Sequence, residues 1–301
     1  MTPNRILADR ISPDSIAPDS IAPASIAEES VPMTFFRVLR RSYLRATALR
    51  CLASIFRNFF FFQYKAALLP GRIPVSRVDH PLDARIPFRS DKVNIYLDFV
   101  AFWIRTLSFL LRHFDRKILE PIRIFLESMG GLYAYAAEVY QKNLSTTNRP
   151  FYIGSPRFAL IHAVDPHLMC IPSLHVMVVI RTYTFFREVI KKFGAETRFA
   201  PQAEELYRGA LAITEAVLYV KQHSVNCIPA ALYAMTRYES DLFPPEEAGR
   251  FVSDLFCGAP DEAGEIREYI ISMYRRFIAR GKEGGDWTAP LLEFMKDLPK
   301  K

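Results

Sequence analysis

The stretch that most constrains the fold runs from Val93 to Leu111, nineteen mostly apolar residues carrying two charges, Asp98 and Arg105. At about 1.5 Å per residue it is long enough to cross a bilayer, yet each charge is costly against lipid. Asp98 and Arg105 stand seven apart on one helical stripe, where they can pair through an intermediate residue or face the interior of a bundle. A buried helix and a spanning helix both satisfy this pattern. Downstream, Pro121 predicts the start of a second helix that Gly130-Gly131 ends, and Leu132 to Gln141 a third. Strand-like alternation is scarce throughout. The expected class is all-α: a helical bundle, its core over 81–240. With 301 residues, 50% of them apolar, such a core and a helical extension are within reach.

The flanks differ sharply in composition. From Ile11 to Glu29 a five-residue repeat places a proline in each period, and one isoleucine per period cannot build a core, so 1–32 is expected to be a disordered tail. Met1 to Arg10 shows no basic segment followed by an apolar run, so no cleavable secretory signal is expected. Met33 to Val78 holds nine basic residues and no acidic one, interleaved with Phe35, Phe36 and the run Phe59 to Phe62. This basic, aromatic, amphipathic segment (33–80) suits an anionic membrane surface. Arg37, Arg40, Arg41 and Arg45 share a helical face, but Arg50 and Arg57 fall opposite it, and a core helix with snorkelling arginines is the bland alternative. Arg72 to Arg89, with three prolines, reads as a loop. The extension (241–301) alternates amphipathic runs such as Ile266 to Ile278 with breaks at Gly258-Ala259-Pro260 and Gly284-Gly285, and reads as soluble helix.

Net charge is +7, which favours an anionic partner. Nucleic acid is not expected, because no recognised module accompanies the charge. The four cysteines, Cys51, Cys170, Cys227 and Cys257, form no C-x-x-C pair and no disulfide framework.

Three clusters carry chemistry. Lys142 and Arg149-Pro150, with six residues between them, supply the converging cations a phosphoryl group needs. Pro172-Ser173-Leu174-His175 stands before an apolar run to Phe186, so a helix start offers free N–H groups and a hydroxyl to an anion, with a histidine one turn in. Lys221-Gln222-His223 adds a second histidine. The competing readings are solvated loop cations, an ordinary helix cap with a core histidine, and a zinc site of Cys170, His175, His223 and Cys227, which leaves Lys142, Arg149 and Ser173 unexplained. His162 and His167, flanking Asp165-Pro166, read as loop residues.

In this order the clusters resemble the type 2 phosphatidic acid phosphatase superfamily, which includes lipid phosphatases, acid phosphatases and vanadium haloperoxidases. The resemblance covers roughly 90–240. Its first motif, lysine, six residues, arginine, proline, is met by Lys142 and Arg149-Pro150, and Pro172-Ser173-Leu174-His175 resembles the lipid-directed form of its second. In the third motif only the histidine, His223, is kept; Ala216, Val217 and Cys227 stand where the family has serine, arginine and aspartate. Lys221, one helical turn from Val217, is a substitute for the arginine, and Asn226 or Cys227 for the aspartate that orients the nucleophile.

The resemblance implies hydrolysis of a phosphomonoester or lipid phosphate without metal or other cofactor. His223 attacks phosphorus to give a phosphohistidine, and His175 protonates the leaving group. Lys142, Arg149, Ser173 and the Leu174 backbone, with Lys221, hold the phosphoryl oxygens. It also implies membrane association, peripheral or integral. The rival is a catalytically impaired member that binds phosphate or anionic lipid at a membrane surface, since an orienting aspartate is worth roughly 10⁴ in turnover in a serine protease.

Overall fold

The computed structural model describes residues 25–300, except 151, 153, 259 and 284. It is a helical bundle built around α8 (Leu174–Lys192), whose Val176 to Ile180 are fully buried. A helix apolar on every side must be enclosed. Here α5 (Phe99–His113), α6 (Leu119–Tyr140), α9 (Ala200–Tyr219) and α10 (Cys227–Tyr238) enclose α8. Its one buried charge, Arg181, meets Glu239 at 2.7 Å and Ser128 of α6 at 2.8 Å. The Arg181 guanidinium also lies 5.3 Å from the Phe125 ring centroid.

The apolar stretch that opened the sequence does not form one rod. It breaks at Asp98 into α4 (Val93–Leu97) and α5, bent by 42°, and Asp98 pairs directly with Arg105. Phe102 to Ile104 and Thr106 to Leu111 are buried in the bundle. Among the described residues no single helix is long and apolar enough to cross a membrane, although this bent pair satisfies length and composition together.

Gly130-Gly131 does not end a helix. α6 runs through both, because α1 (Val31–Arg40) is followed by α2 (Ser42–Ile55), which crosses α6 at that point. A Cβ at Gly130 would sit 3.3 Å from the Cys51 Cα, and one at Gly131 2.6 Å from the Tyr238 hydroxyl. Ser54 Oγ donates to the Gly130 carbonyl at 2.7 Å across the same crossing. Gly130 permits close approach of the α2 backbone and Gly131 makes room for the Tyr238 ring, a use of small residues that local sequence does not distinguish from a stop signal.

Residues 1–24 of the expected tail lie outside the described residues, but 25–32 are packed. Ser25 Oγ and the Ala27 N–H both donate to Glu205, at 2.7 and 2.8 Å, and Ile26 is buried. Buried Glu29 receives Ser108 at 2.5 Å and Arg112 at 2.6 Å. The last period of the repeat is held by Glu205 as well as by burial of Ile26, and those long-range partners are what composition misses.

Two short parallel strands interrupt the helical pattern. β1 (Val75–Arg77) lies in the expected loop and pairs with β2 (Leu144–Thr146), Ser76 opposite Ser145. After α6, α7 (Pro156–Val164) leads to the loop before α8. The C-terminal helices α11 (Pro245–Asp254), α12 (Pro260–Glu283) and α13 (Ala289–Lys296) follow the predicted breaks and pack on the core. Trp287 stacks on Tyr135 of α6 with centroids 3.7 Å apart, and Arg77 N–H donates to the Pro299 carbonyl at 2.7 Å.

Candidate functional site

β2 supports the site loop. The Ser145 N–H donates to the Leu168 carbonyl at 2.9 Å, and Ser145 Oγ accepts the N–H groups of Cys170 and Ile171 at 3.0 and 2.8 Å. Three of the loop's backbone groups are thereby satisfied. The loop delivers Ser173 as the N-cap of α8, as the sequence predicts, but Ser173 Oγ makes no cap bond. It is fully buried and has no protein partner. His175 is the second residue of α8, its ring stacked on Tyr96 at 4.5 Å and 4.0 Å from Phe99.

His223 comes from the end of α9. Gln222 N–H donates to the Val217 carbonyl and Lys221 N–H to the Leu218 carbonyl, at 3.1 and 3.0 Å, with Lys221 at φ 55°. This pattern is a Schellman cap, with lysine in the left-handed position that usually falls to glycine. His223 also donates its N–H to Val217, and Asp83 Oδ1 accepts the Val225 N–H at 2.8 Å, fixing the turn beyond it. The turn brings the His223 ring to 5.3 Å from that of His175. His223 is buried; its ring hydrogen-bonds the Cys170 backbone, and its Nδ1 has no protein partner.

Arg149 reaches the residue before His223. Its guanidinium donates to Gln222 Oε1 at 3.3 Å and to the Asp165 carbonyl at 3.1 Å, and lies 3.7 Å from the Asp165 carboxylate. His167, treated as a loop residue in the sequence, is buried beside it, its ring centroid 6.5 Å from that of His223. Asp165 Oδ1 accepts the His167 N–H at 2.9 Å, holding His167 at φ 56°. Its ring touches the Asp165 carboxylate at 3.7 Å, Thr147 Oγ1 at 3.0 Å and Cys170 Sγ at 3.6 Å.

These contacts set opposite protonation states on neighbouring histidines. Burial, then the nearby His167, pushes His223 down to about 3, so its ring is neutral at neutral pH. Burial and His223 likewise hold His175 well below the ordinary histidine value. Burial would lower His167 too, but Cys170 and Asp165 outweigh it and raise His167 to about 9. Asp165, which burial alone would raise, is brought down to about 2 by His167 and Arg149. A neutral imidazole with an unpartnered nitrogen therefore neighbours the cationic His167, whose carboxylate partner is Asp165.

Four expected residues do other work. Lys142 Nζ is held by Asp286 at 3.0 Å and Thr288 at 2.8 Å, both near the start of α13, which the sequence treated as part of a separate extension. Lys221 Nζ donates to the carbonyls of Asp83 and Ile86. Because α9 stops at Tyr219, the helical spacing that linked Lys221 to Val217 does not apply. For the same reason neither Asn226 nor Cys227 reaches His223 by a helical turn, since α10 begins only at Cys227. Asn226 donates to the Val78 carbonyl at 3.0 Å and accepts from Tyr269, while the Cys227 thiol bonds that of Cys170. Leu174 is a buried first residue of α8.

Asp165, His167 and Gln222 are the site residues that motif spacing missed. The signal for the first two was local: an Asp-Pro-His in which the aspartate bonds the N–H two residues on, as an Asx-turn does. Among the described residues no three His, Cys, Asp or Glu side chains converge as a metal would require, and Cys170 and Cys227 engage each other. Compared with known proteins, the chain matches no family model, no curated protein and no solved structure.

Proposed function

We propose that the chain is a phosphoric monoester hydrolase working through a phosphohistidine on His223. The observation that carries this is two buried polar atoms without protein partners, Ser173 Oγ and His223 Nδ1, where the His175 and His223 rings lie 5.3 Å apart and Arg149 bonds Gln222, the neighbour of His223. Buried polar atoms are rarely left unpaired, and a ligand is one explanation for those that are. A phosphoryl group bound at His223 Nδ1 would take the Ser173 hydroxyl and the Arg149 fork on its oxygens. The Cys170 backbone fills the orienting part of the absent aspartate, fixing the His223 ring without supplying charge.

The steps balance as follows. The Nδ1 lone pair forms the N–P bond, the P–O ester bond breaks, and the leaving oxygen takes a proton through His175. Burial keeps His175 neutral, so the monoanion of the ester supplies that proton. Water then attacks phosphorus and phosphate leaves. His223 must be unprotonated and the ester singly protonated, so kcat/KM should rise through about pH 3 and fall through about pH 6. With a chromogenic phosphate ester, vanadate should inhibit, and His223→Ala should abolish turnover while staying folded. Unchanged hydrolysis by folded His223→Ala, or an optimum above pH 8, would refute the reading.

A second reading, an anion binder without turnover, is favoured by one observation: Lys142 and Lys221 are both engaged elsewhere, leaving fewer cations than the family pattern supplies. Tight vanadate binding with no hydrolysis of soluble or lipid phosphates would select it.

A further inference from the structure

The basic, aromatic segment is divided by the fold into a part that is used up and a part that is not. Arg37 is spent on Glu29 and Ser108, and Arg50 on Glu127 and Thr47. The chain then continues through a π-helical turn at Phe56–Phe61 into α3 (Phe62–Leu68), and here apolar side chains face out. Leu68 is 78% exposed, Phe56 62% and Phe61 56%, with Phe60, Tyr64 and Leu69 also exposed. Tyr64 donates its hydroxyl to the Val164 carbonyl, which brings the end of α7, with exposed Leu160 and Val164, against the same segment. An exposed apolar cluster of this kind marks an interaction surface.

Under the cluster lies a cavity of about 600 Å³. Phe62, Leu69, Leu144 and Leu168 wall it, and it carries the cations of Lys65 and Arg72. Neither cation has a carboxylate within ion-pair distance among the described residues, and 31–78 contains no acidic residue at all. A hydrocarbon-lined cavity with cations on its wall matches a chain with an anionic head. Its back wall, Pro166 and Leu168, brackets His167 of the candidate site. Buried Gln63 of α3 joins the two, donating to Asp165 Oδ1 at 3.0 Å and accepting the Leu168 N–H at 3.3 Å.

We propose that the face formed by 56–72 and the end of α7 docks on an anionic phospholipid bilayer, and that the cavity beneath it takes one acyl chain, whose headgroup meets Lys65 and Arg72. The charge complementarity selects the lipid: a cationic patch with no acidic neighbour in its own segment favours anionic headgroups over zwitterionic ones. This differs from the reading of the isolated sequence, in which Arg37, Arg40, Arg41 and Arg45 made the contact. α1 ends at Arg40, and Arg41 caps α2, so those four do not continue on one helix.

The test is co-sedimentation of the full chain with phosphatidylcholine vesicles, with and without phosphatidylglycerol. Binding should require phosphatidylglycerol and weaken with salt. Lys65→Gln and Arg72→Gln should each lower the partition coefficient roughly fivefold. Phe61→Ser with Leu68→Ser should lower it by about tenfold or more. All four positions are exposed, so the fold is spared. Ala67→Trp puts a fluorophore at the cavity wall, and vesicles with brominated acyl chains should quench it. Equal binding to both vesicle types, or no effect of these variants, would overturn the docking face. Binding without quenching would overturn the acyl-chain site. Quenching by a dissolved brominated fatty acid with no vesicle binding would replace the bilayer with a free amphiphile. No substrate is present in any arm, so failure of the phosphatase reading leaves this result standing.

Discussion

Replacing Ser173 by alanine separates a functional hydroxyl from a structural one, because the two roles predict opposite signs. In the free protein Ser173 Oγ is buried without a protein partner, and such a group costs about 1–3 kcal/mol. Ser173→Ala removes that cost and, since Oγ makes no cap bond to α8, loses nothing there. The variant should therefore be more stable than wild type by about 1 kcal/mol in denaturant unfolding. Vanadate changes the comparison. At a concentration of about 100 times its wild-type Kd, the anion adds about 2.7 kcal/mol to wild type. Losing one hydrogen bond to a charged oxygen weakens binding about tenfold, so the same concentration adds only about 1.4 kcal/mol to the variant. The variant's advantage should disappear when vanadate is present. A Ser173→Ala protein destabilised by 1 kcal/mol or more without anion would show that the hydroxyl has a structural partner. Equal stabilisation of both proteins by vanadate would show that it does not face the anion.

Two further predictions concern what holds the site. Arg181→Ala should destabilise by about 3–5 kcal/mol in the same unfolding assay, because it strands the buried Glu239 carboxylate; a loss below about 1 kcal/mol would mean that α8 is not anchored there. Asp165→Asn should cost about 2 kcal/mol near pH 5.5. The contribution of Asp165 is present above its unfolded pKa and lost as pH falls through about 2, whereas that of His167 is present below its unfolded pKa and lost as pH rises through about 9. The difference between wild type and Asp165→Asn should accordingly shrink above pH 9, and a pH-independent difference would argue against the ion pair.

How much of this was legible in the sequence varies with the range of the interaction involved. The start of α8 at Ser173 and the helix breaks after 254 and 283 were readable, because caps and chain breakers act within a few residues. The all-α class was readable from periodicity. Gly130-Gly131 were not, since their role depends on α2 crossing from 80 residues upstream. Lys142 shows the same limit: its partner Asp286 is 144 residues away. His223 and Arg149 were singled out by motif, while Asp165 and His167, which the structure packs near His223 and Arg149, were not, because that placement comes from β2 holding 168–171 beside the end of α9. Lys221, Asn226 and Cys227 were placed by helical spacing, and that inference failed where the chain turns out of α9 through a left-handed residue.

The proposed bond from His223 to phosphorus can be trapped by rapid acid-free quenching of the full chain with a phosphorus-labelled monoester. The label should survive base, be lost in acid, map to the peptide carrying His223, and be absent in His223→Ala. Label on Ser173 or Cys170, or turnover with no trapped phosphoprotein at any quench time, would contradict it.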